Sequence, residues 1–297
     1  MREIAVFFCA MLMGIGSALG HGSEAHSDAP SWTFDPWIVY PLAGSAVLYF
    51  VGSYKLSQRA GRAVGYRATL TFILGWLTLG TALLSPLHWL GEHLFTFHMI
   101  EHEVVMAVSA PLLVLAKPVG RLLWAFPRRT RLAIGHVMGS QSMRSAWAWV
   151  SGGRNATILH GIAIWAWHAP TAIDAALTYV AVHRLQHLSF FATAIVFWWS
   201  VLRMKDRGLA AWHLFVTMLH MSILGALIAL APRVIYVAQT AAAPEWGLTP
   251  LEDQQLAGIV MWVPAGTVYA GAALVLFAVW IARSSAEEKH HDNAHGA

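Results

Sequence analysis

The residues of this chain with the clearest capacity for chemistry lie in one apolar stretch, 93–118. His98, Glu101 and His102 are spaced i, i+3, i+4 and therefore share one face of a helix. Met106 lies one turn beyond His102 and extends that face with a thioether. An ionisable side chain in a membrane helix costs roughly 2.5–3.5 kcal/mol on insertion scales, so it usually faces a bundle interior or a wet cavity. The pattern indicates a polar site inside a membrane helix.

The composition is that of a polytopic membrane protein. Of 297 residues, 57% are hydrophobic and 11% are charged, with a mean hydropathy of +0.55. A soluble domain is typically ~25% charged. The single cysteine, Cys9, lies in the apolar run of a predicted signal peptide, so the mature chain would contain none. This excludes a structural disulfide and a thiolate metal site, and leaves His, Met and carboxylates as metal ligands.

The order of apolar segments predicts an all-α bundle. Residues 1–20 are typical of a cleaved secretory signal peptide, and 21–35 of a periplasmic lead-in. A seven-helix transmembrane domain is predicted over 36–282, followed by a cytoplasmic tail at 283–297. The predicted spans are 36–54, 68–86, 93–116, 154–173, 184–202, 212–232 and 256–282.

Basic residues predict the orientation of the bundle. They concentrate in the loops after the first, third and fifth spans, which places those loops in the cytoplasm and the mature N-terminus outside. Residues 119–150 are too polar to span, and we expect an interfacial segment on the cytoplasmic surface, broken at Pro127. Because topology explains these arginines, we expect the partner to be the lipid bilayer and not nucleic acid.

Further histidines converge on the outer ends of the spans. His168 lies near the outer end of the fourth span, and His183 and His187 begin the fifth, again at i, i+4. Imidazole and thioether ligands at one depth suit copper, zinc or iron, and the absence of thiolate favours copper. The predicted copper ligands are His98, His102, His168, His183 and His187, with Glu101, Met106, Asp253 and Met261 able to support them.

Three other interpretations of these residues stay open at the level of the sequence. His98 to His102 matches H-x-x-E-H, a zinc-hydrolase signature in which Glu101 would activate water. His98 and His187 could ligate a b-type heme on facing spans. The histidines could also form a polar network that only orients helices.

Three long segments carry a family resemblance: HMIEHEVVMAVSAPLLVLAKP, WAWHAPTAIDAALTYVAVHRLQHLSFFATAIVFWW and LEDQQLAGIVMWVPAG. They resemble the integral-membrane cytochrome c oxidase assembly factors of the CtaG type, and not the single-span copper chaperone that shares the name. The resemblance implies a non-enzymatic protein of the bacterial inner membrane that helps to mature the copper centre of a heme–copper oxidase subunit. A periplasmic copper donor would be a further partner. The positions that match the family's motif are His98, His102, His168, His183, His187, Asp253, Gln254, Met261 and Trp262.

The competing expectation for the same family role involves no metal. The protein would then be a membrane scaffold that holds an oxidase subunit during insertion, and its histidines would be dispensable while its contact surface would not.

Overall fold

The computed structural model describes residues 30–60 and 65–295, without the side chains of residues 60 and 283–295. The predicted signal peptide and most of the predicted lead-in lie outside the described residues. Within the described part the chain is helical and contains no strand, which confirms the all-α class.

The helices differ greatly in length, and several short ones separate the long ones. In chain order they are α1 Pro36–Ala60, α2 Tyr66–Leu84, α3 Pro86–His93, α4 Phe95–Glu103, a π-helical segment Val104–Ser109, α5 Ala110–Ala116, α6 Val119–Ala125, α7 Arg128–Gly139, α8 Gln141–Val150, α9 Gly153–Trp167, α10 Pro170–Thr178, α11 Val180–Arg203, α12 Arg207–Ala229, a 3-10 turn Ala243–Trp246 and α13 Pro250–His295.

Six stretches of the described residues are long and apolar enough to cross a membrane. They correspond to the first, second, third, fifth, sixth and seventh predicted spans. The match confirms a membrane protein with several spanning helices. The six stretches are Pro36–Arg59, Tyr66–Leu84, Phe95–Ala116, Val180–Arg203, Arg207–Ala229 and Pro250–Ala282.

The fourth predicted span, 154–173, is wrong as one continuous helix. Helix α9 has 15 residues and ends at Trp167, after which His168 and Ala169 leave the helical conformation and α10 begins at Pro170. Proline disfavours the α conformation in the residue before it, and Ala169 accordingly has ψ 132°. At ~1.5 Å per residue α9 covers about 22 Å, less than the ~30 Å hydrocarbon core. The prediction of seven crossings is therefore not confirmed.

Residues 119–150 form three short helices, α6 to α8, with a break at Pro127, as the sequence predicts. Several of their apolar side chains are exposed, including those of Leu132 and Trp149. The Arg131 guanidinium lies 3.8 Å from the centre of the Trp124 ring. Exposed apolar and basic groups on one short-helix segment are typical of a segment lying at a membrane surface, and that location stays a prediction.

Two glycines bring α12 and α13 into backbone contact. A Cβ atom added to Gly225 would lie 2.9 Å from the carbonyl oxygen of Gly258, and one added to Gly258 would lie 2.7 Å from the carbonyl oxygen of Gly225. Small residues allow membrane helices to approach each other this closely. In a bilayer, helices associate through van der Waals packing, because the hydrophobic effect does not favour contact between them. Helix α13 also packs on α4, so this contact fixes the last helix beside the histidine-bearing one.

Replacing Gly258 with alanine should destabilise the bundle. The added methyl meets backbone atoms, which cannot rotate away, and overpacking of this kind typically costs about 1–3 kcal/mol. Thermal unfolding of the purified protein in detergent measures the effect. Gly271→Ala on the same helix is the matched control, because a Cβ there meets nothing within 4 Å. Equal melting temperatures for the two variants would contradict the close contact.

Candidate metal centre

The N-terminus of α4 is held by a carboxylate from the far end of the chain. Leu94, which precedes the helix, provides no side-chain cap. Instead Asp253 of α13, fully buried, accepts hydrogen bonds from the backbone N–H of Phe95 at 2.8 Å and of Thr96 at 3.0 Å, and from the Thr96 hydroxyl at 2.7 Å. A negative charge at a helix N-terminus satisfies unpaired N–H groups and complements the helix dipole. Asp253 thus positions the helix that carries His98 and His102, and does not itself face the histidines.

Six side chains from three elements meet just beyond that N-terminus. We call them the histidine cluster. It joins the two predicted i, i+4 pairs, with ring centroids 4.2 Å apart for His98 and His102 and 4.6 Å apart for His183 and His187. The two pairs face each other, since the His102 and His187 centroids lie 5.0 Å apart. The members of the cluster are His88, His98, Glu101, His102, His183 and His187.

Glu101 lies at the centre of the cluster and is only 1% exposed. Its Oε1 lies 2.8 Å from Nδ1 of His88 and 3.7 Å from Nδ1 of His187. Ligand atoms of these three residues all lie within 4.8 Å of one another, a spacing that one metal ion can bridge. His88 was missing from the predicted ligand set. In the sequence, His88 is marked only by its position near Glu92 and His93 at the outer end of the span. Its contact with Glu101 forms only when α3 folds back on α4, and no local pattern predicts that fold.

Gly91 permits that fold. A Cβ at Gly91 would lie 3.1 Å from Oε2 of Glu101 and 3.3 Å from Cα of His98, so glycine allows α3 to lie directly on α4. Gln239 in the loop before α13 fixes α3 by donating to the Gly91 carbonyl at 2.9 Å. Burial lowers the pKa of His88, but the neighbouring Glu101 carboxylate outweighs this, and the pKa of His88 is raised above its ordinary value.

Four buried imidazole nitrogens of the cluster lack a hydrogen-bond partner in the protein. They are Nε2 of His98, both ring nitrogens of His102, and Nδ1 of His187. Leaving a buried polar atom unpaired costs about 1–3 kcal/mol. By contrast Nε2 of His183 lies 2.7 Å from Nε2 of His187, so these two nitrogens are partners in one hydrogen bond. The arrangement presents several lone pairs around one carboxylate, as a cation-binding site requires.

His168 lies beside the cluster and makes a separate contact. Its Nδ1 donates to the carbonyl of Ile164 at 2.6 Å, which leaves a lone pair on Nε2. That Nε2 lies 3.4 Å from the thioether sulfur of Met99. A histidine held through one nitrogen by a backbone carbonyl has the orientation typical of a metal ligand. The pair brings together an imidazole and a soft sulfur, and Met99 is one of the three methionines, with Met106 and Met261, that favour copper in the sequence.

The loop before α13 fixes His168 from outside. The Tyr236 hydroxyl donates to the His168 carbonyl at 2.8 Å, and burial raises the pKa of Tyr236 to about 12, so the hydroxyl stays protonated. Oε1 of Gln254 accepts hydrogen bonds from the backbone N–H of Ile235 at 2.6 Å and of Tyr236 at 3.2 Å. The two motif residues Asp253 and Gln254 are therefore positioning groups, one for α4 and one for the loop.

The two predicted supporting methionines belong to the apolar core around the cluster. Met106 and Met261 are each 1% exposed and lie in the same packed core. Met106 falls in the π-helical segment, where its carbonyl oxygen receives a hydrogen bond from Nε1 of Trp198 at 2.9 Å. Segments of this kind are rare and often adjoin functional sites. No pattern in the sequence announces the extra residue that creates it.

Four further histidines, which the sequence predicts to be ordinary core residues, lie outside the cluster: His136, His160, His213 and His220. The prediction is wrong for His136, which is exposed on α7. Nδ1 of His160 lies 3.1 Å from the Thr193 hydroxyl, and its Nε2 lies 3.4 Å from the Tyr269 hydroxyl. Nδ1 of His213 lies 2.9 Å from the Thr157 hydroxyl. These two are partnered in the way that an interior polar network requires, whereas His220 has no hydrogen-bond partner on either ring nitrogen.

The geometry disfavours a heme in the cluster. The void beside His98 and His183 has a volume of only about 10 Å³. That is room for about one water, far less than a porphyrin needs. A single ion, in contrast, requires no such cavity, since its ligands close around it.

The comparisons with known proteins agree with the motifs. The family model of the cytochrome c oxidase caa3 assembly factor (Caa3_CtaG) matches residues 47–283, most of the chain, and the chain belongs to that family. No curated protein and no solved structure matches it. The matched region includes every residue of the histidine cluster.

Replacing Asp253 with alanine should loosen the N-terminus of α4. The change removes three hydrogen bonds to a charged acceptor, each typically worth about 1.5–3 kcal/mol when buried, and lowers the melting temperature. The matched control is Glu252→Ala, the exposed neighbour whose carboxylate pairs only with Thr249. Asp253→Asn, which keeps the shape and one acceptor, should fall between the two. A loss for Glu252→Ala as large as that for Asp253→Ala would contradict this role.

Proposed function

We propose that this caa3 oxidase assembly factor binds copper as cargo at the histidine cluster and passes it to the catalytic subunit of the oxidase. The observation that carries the proposal is the set of unpaired, buried imidazole nitrogens around Glu101. His160 and His213 pair with hydroxyls instead. His220 is also unpaired, but among the described residues the only His, Cys, Asp and Glu side chains close enough to share one ion are those of the cluster.

The donor set suits copper better than other ions. Among divalent first-row metals, copper has the highest affinity for imidazole ligands. A thioether ligand favours Cu(I). The cluster supplies imidazoles, and Met99 beside His168 supplies the thioether. The buried carboxylate of Glu101 offsets the charge of the incoming ion, which would otherwise be costly in a medium of low dielectric constant. A zinc hydrolase is a poorer fit, because Glu101 is paired with His88 and therefore not placed to activate water.

The void beside the cluster supports a route for the ion. It is lined by Ile173, Ala176 and Leu177 of α10, by Gln239 of the loop before α13, and by His98 and His183 of the cluster. Copper from a periplasmic donor would enter between α10 and the outer loop. The ion would then lie within reach of His168 and Met99, a second pair of exchangeable ligands. A site that transfers an ion needs ligands that also release it. An incomplete set of ligands, such as His168 with Met99, binds the ion weakly enough for release.

The proposed orientation places the cluster on the periplasmic side of the bacterial inner membrane. The clusters of basic residues after α5 and α11 lie at the opposite ends of the same helices that carry the histidines. In this arrangement α9 provides the seventh crossing, shortened and completed by the turn at His168, and the C-terminus is cytoplasmic.

Copper binding should be lost when two ligands are removed. We expect the purified protein, reduced and loaded with Cu(I), to retain a stoichiometric amount of copper after desalting, and His98→Ala/His102→Ala to lose it. The tail histidines His290, His291 and His295 are changed to glutamine in every sample, because they would bind copper without any site. The control variant, His136→Ala/His213→Ala, removes as many imidazoles outside the cluster.

The same variants separate copper delivery from the scaffold alternative in cells. If copper delivery is the function, His98→Ala/His102→Ala lowers the copper content and activity of the oxidase while the protein level stays normal. Normal oxidase copper in this variant would contradict the proposal and favour a scaffold. Optical spectra of the same samples check for a Soret band, which would instead assign the cluster to heme.

The orientation should be visible by labelling single cysteines from outside intact spheroplasts. In a Cys9→Ser background, Ala241→Cys in the outer loop should react with an impermeant maleimide, because the residue is exposed. Ser140→Cys between α7 and α8 is equally exposed and should react only after the membrane is opened. The reverse pattern would overturn the proposed topology.

A further inference from the structure

A second site lies at the opposite end of the bundle from the histidine cluster. A cavity of about 560 Å³ lies between the last turns of α5 and α11, the first turn of α12 and the second half of α13. His98 and His183 stand near the start of the helical stretches that end here, so at ~1.5 Å per residue the two sites are about 30 Å apart. This distance equals the thickness of a hydrocarbon core and places the cavity at the other membrane surface.

Three cations line the cavity, and among the side chains that the structure describes no carboxylate does. They are Lys117 at the end of α5, Arg203 at the end of α11 and Arg207 at the start of α12. Asp206, which precedes Arg207 in the sequence, is the N-cap of α12, where its carboxylate accepts a hydrogen bond from the N–H of Leu209 at 3.0 Å. A concave surface lined by charges of one sign attracts an ion of the other sign.

The local structure holds these cations in place. The Arg203 guanidinium lies 3.5 Å from the centre of the Trp199 ring, and Nη1 of Arg207 donates to the Leu202 carbonyl at 3.2 Å. A guanidinium has five N–H donors, so one such contact leaves others for an anion. Lys117 ends its helix in the left-handed conformation, with φ 49°. Positive-inside topology explains the sign of these residues but not why three of them border one cavity.

The rest of the wall is apolar. Val114, Leu202, Leu276 and Val279 contribute hydrocarbon next to the three cations. A free anion would use only the charged part of such a surface. A molecule with a phosphate at one end and hydrocarbon at the other would use both. Basic pockets between membrane helices bind lipid head groups in this way.

We propose that this cavity binds an anionic phospholipid, with its phosphate between Lys117, Arg203 and Arg207 and an acyl chain against the apolar wall. The site is independent of copper binding, since none of its residues belongs to the histidine cluster.

The test is thermal unfolding of the full chain in mild detergent with added lipid. Phosphatidylglycerol should raise the melting temperature in a saturable manner, whereas phosphatidylcholine, whose head group has no net charge, and inorganic phosphate should not. Lys117→Asn/Arg203→Gln/Arg207→Gln should lose most of the shift. The matched control, Arg128→Gln/Arg129→Gln/Arg144→Gln, removes three exposed cations from α7 and α8 and should keep it.

A single variant guards against misfolding of the triple variant. Asparagine tolerates the left-handed conformation of residue 117, so Lys117→Asn should fold normally and weaken the apparent lipid affinity several-fold. Three results would overturn the proposal: equal shifts from phosphatidylcholine, an equal shift from inorganic phosphate, which would assign the site to a free anion, or equal losses in the control variant.

Discussion

The contact between Asp253 and the start of α4 is the interaction on which the rest of the site depends. It joins residues more than 150 positions apart and places a buried charge on three donors at once. In an apolar bundle such a charge has few alternatives, because no water competes for it. The last helix therefore determines where α4 begins, and α3, which lies on α4 at Gly91, depends on that position.

A second constraint follows from the same scarcity of water. Buried polar atoms without a partner occur at several places in the described bundle, but they are concentrated in the histidine cluster, which contains four of them. His160 and His213 have hydroxyl partners, whereas His102 has none on either nitrogen although it is only 2% exposed. Leaving the His102 nitrogens unpaired lowers the stability of the fold. This cost is expected if their lone pairs are kept available for a cation. A binding site for a small cation is thus recognised by what it leaves unsatisfied.

Local patterns in the sequence predicted what depends on local geometry. The i, i+4 spacings placed two histidine pairs on helix faces, where the structure has them. The sequence failed where distant segments meet, as with His88 against Glu101 and Asp253 against Phe95. The overlong fourth span is a different error, because Pro170 already signalled a break that hydropathy alone does not show.

The π-helical segment has a consequence for the two ends of its own helix. One extra residue in the turn shifts the angular phase of everything beyond it by about 100°. Relative to His98 and His102, Val114 and Lys117 therefore point in a direction that differs by this angle from the one a regular α-helix would give them. Deleting one residue between Val104 and Ser109 would remove the offset, so that the two ends could not both keep their present neighbours.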